Sequence, residues 1–288
     1  MSIRCCMTLK RRIFDTYINV IAYFTVKLKA RKNSLMNLEK HSNVPLCFVT
    51  IAFNNAFLIE QQIRLLKKYI TDRQYIHIIA DNSNNKKNRE VVKNLCIKAG
   101  VEYISLPYNW FQKANRRPSY AHALSMIWIY RNIIIKIQPK IFGFLDHDIF
   151  PIADYCVEQK LGEQDFFGRL VDRTPQQQVK KLWYLWAGFC FFRFDKIKNI
   201  KMNFFPCKID GTYLDTAGSV YRSLYASYNL SELQLDAPVR ATYFREGNDY
   251  HSDLLHFIDN DWVHTINGSN WTKGRSKDNF LKDFLKQY

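Results

Sequence analysis

Apolar and polar positions alternate along this chain in blocks of two kinds. Short apolar runs of strand length lie at 46–53 (LCFVTIAF), 75–80 (YIHIIA), 101–106 and 141–145, each closed by turn-forming residues. Between them, 57–69 places Ile59, Ile63, Leu66 and Tyr69 on one side of a helix, and 87–99 forms a second helical stretch stopped by Gly100. A third helical stretch is predicted over 123–137. Strands alternating with helices at this spacing predict βαβ units and an α/β fold with a central, mostly parallel sheet. Ligands of such sheets gather at the carboxyl ends of the strands.

Both ends of the chain depart from that rhythm. Segment 11–31 sets Phe14, Tyr17, Ile18, Ile21, Phe24 and Leu28 at helical spacing between basic flanks, a pattern that suits either an anionic membrane surface or packing on the domain. Residues 32–44 are polar, end before Pro45 and read as a linker. The expected organisation is a basic amphipathic N-terminal extension over 1–43, an α/β domain over 44–272 and a C-terminal helical tail over 273–288.

Composition narrows the function. With 288 residues, 47% of them hydrophobic, the chain buries a sizeable core and is not globally disordered. The net charge of +16 points to anionic partners, and residues 1–43 hold nine Lys/Arg against Asp15 and Glu39, a net +7. The seven cysteines show no zinc spacing and read as free thiols in a reducing compartment. The uncharged run 16–26 is too short to span a bilayer and leads to no cleavage site, so the expected location is cytoplasmic, peripheral on the inner membrane face.

The chemistry concentrates at strand ends. In IFGFLDHDIFP (141–151) an apolar run ends in Asp146 and Asp148, which share a face if the strand persists and then suit one hard cation, Mn2+ or Mg2+, carrying a diphosphate. An isolated pair of this kind reads first as a solvated turn; its company promotes it. Asp81 ends the second predicted strand and is either a turn former or a base and ribose contact. Arg116 and Arg117 precede a predicted helix start, a place that favours phosphate. Trp186-Ala187-Gly188 leaves room beside an indole for a sugar. Asp215, in LDTAG, reads as a helix N-cap or a positioned base, and His264 as a structural residue or a third metal ligand. Neither a GxGxxG nor a P-loop occurs, so a bound nucleotide would be held by metal and basic side chains.

In their order, VTIAFNN (49–55), the strand ending in Asp81, FLDHDIFP (144–151), WAGFCFF (186–192), LDTAG (214–218) and HTINGSNW (264–271) resemble the GT-A glycosyltransferases of family 2. The resemblance spans about residues 45–272 and implies a GT-A-type domain that moves a sugar from a nucleotide-diphosphate sugar to a glycan or lipid-linked acceptor, with inversion. It also implies roles. Thr50, Ala52 and Asp81 would line the base and ribose; Asp146, Asp148 and His264 would bind the divalent ion; Asp215 would be the base; Trp186, Ala187 and Gly188 would lie near the acceptor. His147 stands where the family has a small or acidic residue, and LDTAG replaces its Glu-Asp acceptor motif.

Two other readings compete. The charge and aromatic content also suit a nucleic-acid-binding protein, yet almost half of the excess charge sits in the N-terminal segment, so nucleic acid is not the expected partner. A sugar-phosphate nucleotidyltransferase would need a Gly-rich basic loop after the first strand, where this chain has Asn54-Asn55-Ala56-Phe57.

Overall fold

The first predicted strand, β1 (Leu46–Ala52), is buried along its whole length and becomes the centre of the main sheet. This computed structural model describes residues 3–32, 34, 39–113, 117–176, 181–236, 238–243, 254–265 and 275–288. β1 is flanked in parallel by β2 (Tyr75–Asp81), which pairs with β3 (Glu102–Ser105), and on its other side by β4 (Ile141–Asp146). After β4 the chain turns into a short strand, β5 (Ile149–Pro151), and later adds β6 (Phe166–Asp172) and β7 (Trp183–Arg193) antiparallel to the growing edge. The resulting order is β3-β2-β1-β4-β7-β6, a six-stranded, mostly parallel α/β sheet as the alternation predicts.

Helices cover both faces. Upstream of the sheet lies α1 (Ile3–Lys27). On one face, α2 (Ala56–Tyr69) sets Leu66 against Phe48 and Leu46, and α3 (Lys86–Ala99) packs Val92 and Cys96 with Ile79 and Tyr103. Asn55 starts α2 by accepting from Leu58 N at 3.2 Å, and Gly100 ends α3 in the left-handed conformation (φ 67°). The short α4 (Trp110–Lys113) leads to α5 (Pro118–Ile129), which lies on the other face with Met126, Ile127 and Trp128 near Val49, Ile51 and Phe144. The helix predicted over 123–137 thus begins earlier, at a proline suited to the first turn, and runs through a π-helical turn at Tyr130–Ile134.

A second sheet fixes the site. After a hairpin of β8 (Cys207–Ile209) and β9 (Thr212–Leu214), the chain forms β10 (Pro238–Tyr243), β11 (Leu254–Ile258) and β12 (Trp262–Thr265), and β12 pairs antiparallel with β5. The step from β4 to β5 therefore carries the chain from one sheet into the other. The C-terminal helix Arg275–Lys286 buries Leu281 and Leu285 among Leu58, Leu65, Phe150 and Val263, and Arg64 Nη2 donates to Leu285 O at 2.7 Å. Cys47, Cys96 and Cys190 are buried free thiols. No helix among the described residues is long and apolar enough to cross a membrane.

One buried carboxyl makes the fold sensitive to pH. Gly168, at φ 151°, interrupts the β6–β7 register, and Asp236 clips this bulge through backbone bonds to Gly168 O at 3.0 Å and from Leu170 N at 2.7 Å. The Asp236 side chain is buried and accepts from Tyr155 OH at 3.2 Å; burial, then the charge of Asp259, push its pKa up to about 7. Unfolded, an Asp titrates near pH 4, so this raised group contributes stability that is complete below about pH 4 and lost as pH rises through about 7. Urea-unfolding curves for Asp236→Asn should lose that part of the pH dependence while matching the wild type at low pH.

Candidate functional site

The two carboxylates converge through a turn. The main-sheet strand stops at Asp146, and His147 and Asp148 form the tight turn into β5, so the persistent strand expected to bring 146 and 148 onto one face is absent. A buried amide holds this turn. Gln62, on the inner face of α2, donates from Nε2 to Asp146 O at 2.7 Å and to Ile149 O at 2.8 Å, so both ends of the turn hang from one side chain. Its Oε1 accepts from Thr50 Oγ1 at 2.6 Å. With its only proton so used, the Thr50 hydroxyl accepts from His77 Nε2 at 2.9 Å, and burial lowers the His77 pKa to about 3, keeping the ring neutral.

Strand register brings the imidazole. In the β5–β12 pair His264 lies opposite Ile149, and Thr265 N donates to Asp148 O at 2.9 Å. His264 Nε2 then sits 3.5 Å from Asp148 Oδ1, and one ligand atom from each of Asp146, Asp148 and His264 falls within 4.8 Å of the others. The 3.5 Å gap is longer than the charge-assisted hydrogen bond these groups would make if they only satisfied each other. A cation with bonds near 2.1 Å separates its ligand atoms by roughly 3 Å for neighbours and 4 Å across, and the His264–Asp148 separation falls in that range. Two carboxylates and an imidazole suit a divalent ion of the Mn2+ type.

Space beneath the cluster comes from Gly188. A Cβ there would meet Asp146 Oδ2 at 2.5 Å and would also strike the Trp186 ring, so only glycine lets β7 pass under the carboxylate. Burial, then the adjacent Asp148 charge, raise the Asp146 pKa well above the carboxylate range. His122, from the first turns of α5, places Nδ1 3.4 Å from Asp146 Oδ1, and burial lowers its pKa to about 4. The Trp186 ring packs against His264 at 4.4 Å between centroids, and the Arg169 guanidinium lies 4.9 Å from the ring centre. Trp186 thus orients two site groups where the sequence suggested an open face for a sugar.

Asp215 enters from another part of the chain. It follows β9 at the start of a turn, not at a helix N-terminus; the next short helix, Val220–Ser223, begins five residues on. Its carboxylate is exposed, accepts from Tyr213 OH at 3.4 Å, and its backbone N donates to Tyr184 OH at 3.3 Å. Its charge acts on both His122 and Asp146. Ala187 is buried.

The remaining expected residues stand elsewhere. Thr50 and Ala52 have no accessible surface, because their side of β1 faces the helices, and Thr50 serves Gln62. Asp81 is buried with both oxygens engaged, Oδ1 by Ser83 N and Oδ2 by Tyr103 OH, each at 2.8 Å. Arg117 is exposed and lies 4.4 Å over the Phe14 ring of α1, an aromatic contact instead of a phosphate cradle. Arg116 and the 267–271 loop lie outside the described residues. Three residues at the site were not singled out from the sequence: Gln62, His122 and Arg169. Gln62 and Arg169 carried a signal, since one is polar on the apolar side of a helix and the other is charged inside a strand-like run.

No protein-family model and no curated protein matches the chain. Among solved structures, the WbbM bifunctional glycosyltransferase is similar at 15% identity and TM-score 0.37, over 58% of this chain and 34% of that one. An active-site mutant of LgtC is similar at 15% identity and TM-score 0.35, over 52% of this chain and 58% of that one. The galactosyltransferase LgtC in complex with donor and acceptor sugar analogues is 16% identical at TM-score 0.34, with the same coverage. The chain therefore spans between 34% and 58% of the length of these proteins.

Two substitutions separate the support of the site from its chemistry. Gln62→Leu keeps the volume but leaves two turn carbonyls and the Thr50 hydroxyl without their partner, and should lower stability by about 3 kcal/mol in urea unfolding. Gly188→Ala should cost about 1–3 kcal/mol from overpacking. By displacing the Asp146 carboxylate, it should also weaken Mn2+ binding about tenfold or more in calorimetric titration. Unchanged Mn2+ affinity in Gly188→Ala would remove Asp146 from the ligand set.

Proposed function

We propose that this chain is a metal-dependent glycosyltransferase of the GT-A type, moving a sugar with inversion from a nucleotide-diphosphate sugar to a hydroxyl acceptor. The observation that carries this reading is the convergence of Asp146, Asp148 and His264 at the carboxyl end of β4, with the exposed Asp215 carboxylate acting electrostatically on the same group. The order of the sequence motifs supports it.

In this reading Asp146, Asp148 and His264 hold Mn2+ or Mg2+. The bound ion would neutralise charge on the leaving nucleoside diphosphate. His122 steadies the Asp146 carboxylate from the first turns of α5, and Trp186 fixes the plane of His264. Arg169, stacked on the same indole and close enough for its charge to interact with Asp146, adds positive charge beside the diphosphate. Asp215 removes the proton of the acceptor hydroxyl as its oxygen bonds to the anomeric carbon. The bond from that carbon to the diphosphate oxygen breaks with its electron pair, so one displacement inverts the centre. Asp81 and Thr50 contribute as buried supports of the strand ends.

The loop after β1 disfavours the nucleotidyltransferase alternative: Asn55 is spent as the N-cap of α2, and Asn54 binds the Ser83–Asn84 turn.

Release of nucleoside diphosphate from a panel of nucleotide sugars, with Mn2+ and with chelator, tests the reading. Turnover should require the ion, and Asp148→Asn should lower kcat/KM by about 10²-fold or more. Asp215→Asn should lower kcat about 10²–10⁴-fold with little change in donor binding. No release from any donor would overturn the proposal.

A further inference from the structure

Helix α1 carries two apolar lines set about 120° apart around its axis, and the domain covers only one. Its inner side carries Phe14, Ile18, Ile21 and Thr25, spaced 4, 3 and 4 residues, and packs on α5; Trp128 Nε1 donates to Leu28 O and Asn132 Nδ2 to Val26 O, each at 3.0 Å. At 100° per residue, Leu9, Ile13, Val20 and Phe24 form a second line, centred about 120° round the helix from the first. They are exposed at 52%, 61%, 48% and 62%, and none of the four belongs to the packed core. Four large apolar side chains in one line form a patch of the kind that marks an interaction site.

The chemistry around the line says what covers it. Arg12, Lys27, Lys29 and Lys32 are exposed on and just beyond the same helix, within the segment that carries a net +7. Trp110 of α4, exposed at 46%, donates from Nε1 to Tyr17 OH at 3.0 Å, which sets an indole and a phenol beside the apolar line. Apolar side chains flanked by basic residues and interfacial Trp and Tyr match a helix lying in the plane of an anionic bilayer. A second copy of the chain fits less well, because a two-fold pairing through this face would bring the same cations together.

We propose that the outward side of α1 is a membrane-docking surface that seats the protein on anionic phospholipid. This inference stands apart from the transferase reading, and it gives that reading a direction. Phe14 of α1 contacts Tyr120 at 5.6 Å between ring centroids, and the neighbouring Ser119 O accepts from Thr216 Oγ1 at 3.2 Å, next to Asp215. The bilayer face and the candidate base are thus joined through the first turn of α5, and a lipid-linked hydroxyl is the acceptor class this placement suits.

Co-sedimentation with phosphatidylcholine vesicles, with and without phosphatidylglycerol, tests the docking. The full chain should pellet with the anionic vesicles only and be released by salt. Ile13→Ser/Val20→Ser/Phe24→Ser, all at exposed positions, should weaken binding by about 10²-fold or more. Arg12→Ser/Lys27→Ser should weaken it by about fivefold for each charge removed. Both variants should keep the wild-type melting temperature and wild-type donor hydrolysis in solution, so failure of docking and failure of the transferase reading give different results. Three results would overturn the proposal: no preference for anionic vesicles, triple-variant binding equal to wild type, or a concentration-dependent dimer in ultracentrifugation that the triple variant abolishes.

Discussion

The site depends on one buried amide. Gln62 is fully enclosed, yet its Oε1 and both Nε2 hydrogens are engaged, by Thr50 on one side and by the carbonyls of Asp146 and Ile149 on the other. A buried polar side chain is tolerable only when satisfied in this way, and once satisfied it admits very few alternative geometries. The two carbonyls bracket the point where the chain leaves the main sheet. They lose their ladder partners there because β4 ends and β5 pairs in a different sheet. Gln62 supplies the missing bonds, and in doing so sets where the two aspartates stand relative to the body of the protein.

From that fixed turn the rest of the cluster follows by pairing. β5 can pair with β12 in one register without exposing Trp262 and Val263, both fully buried, so the register that hides them also delivers His264 beside Asp148. On the opposite side β7 must approach closely enough to complete the main sheet, and Gly188 removes the side chain that would otherwise push Asp146 aside. The aromatic density of β7, which by composition alone reads as core, does serve the core through Phe189, Phe191 and Phe192. Only Trp186 turns toward the cluster, where it bridges His264 and Arg169.

Much of the α/β frame was legible because its signals are local. The apolar runs of β1, β2 and β4 are buried on both faces, which makes them continuous, and Asn55 and Gly100 mark helix ends through short-range hydrogen bonds. The grouping of Asp146, Asp148 and His264 was legible from residue type, but the reason for it was not. The expected route was a persistent strand, whereas the structure uses a turn hung from a glutamine 84 residues earlier in the sequence. Long-range contacts of this sort leave only an indirect trace, here a polar residue on the apolar side of α2. Thr50 and Asp81 illustrate the converse: a polar residue at a strand end reads as a ligand contact, yet each is consumed by neighbours that sequence spacing does not reveal. LDTAG has the composition of a helix start at Asp215, yet the chain makes a turn there, with Ala217 in the left-handed region.

The electrostatics of the cluster argue that it is held together for a purpose other than stability. Burial and the charge of Asp148 both oppose ionisation of Asp146, and the two imidazoles, His264 at 3.5 Å from Asp148 and His122 at 3.4 Å from Asp146, stand beyond charge-assisted hydrogen-bond length. Bringing two like charges together in a partly dry site is unfavourable unless a cation or a shared proton compensates. A fold free to choose would separate these side chains or replace one with an amide. Instead the surrounding structure holds them close: Gln62 fixes the backbone, Gly188 leaves room for the Asp146 carboxylate, and strand pairing places His264. In the proposed reading a divalent ion supplies that compensation.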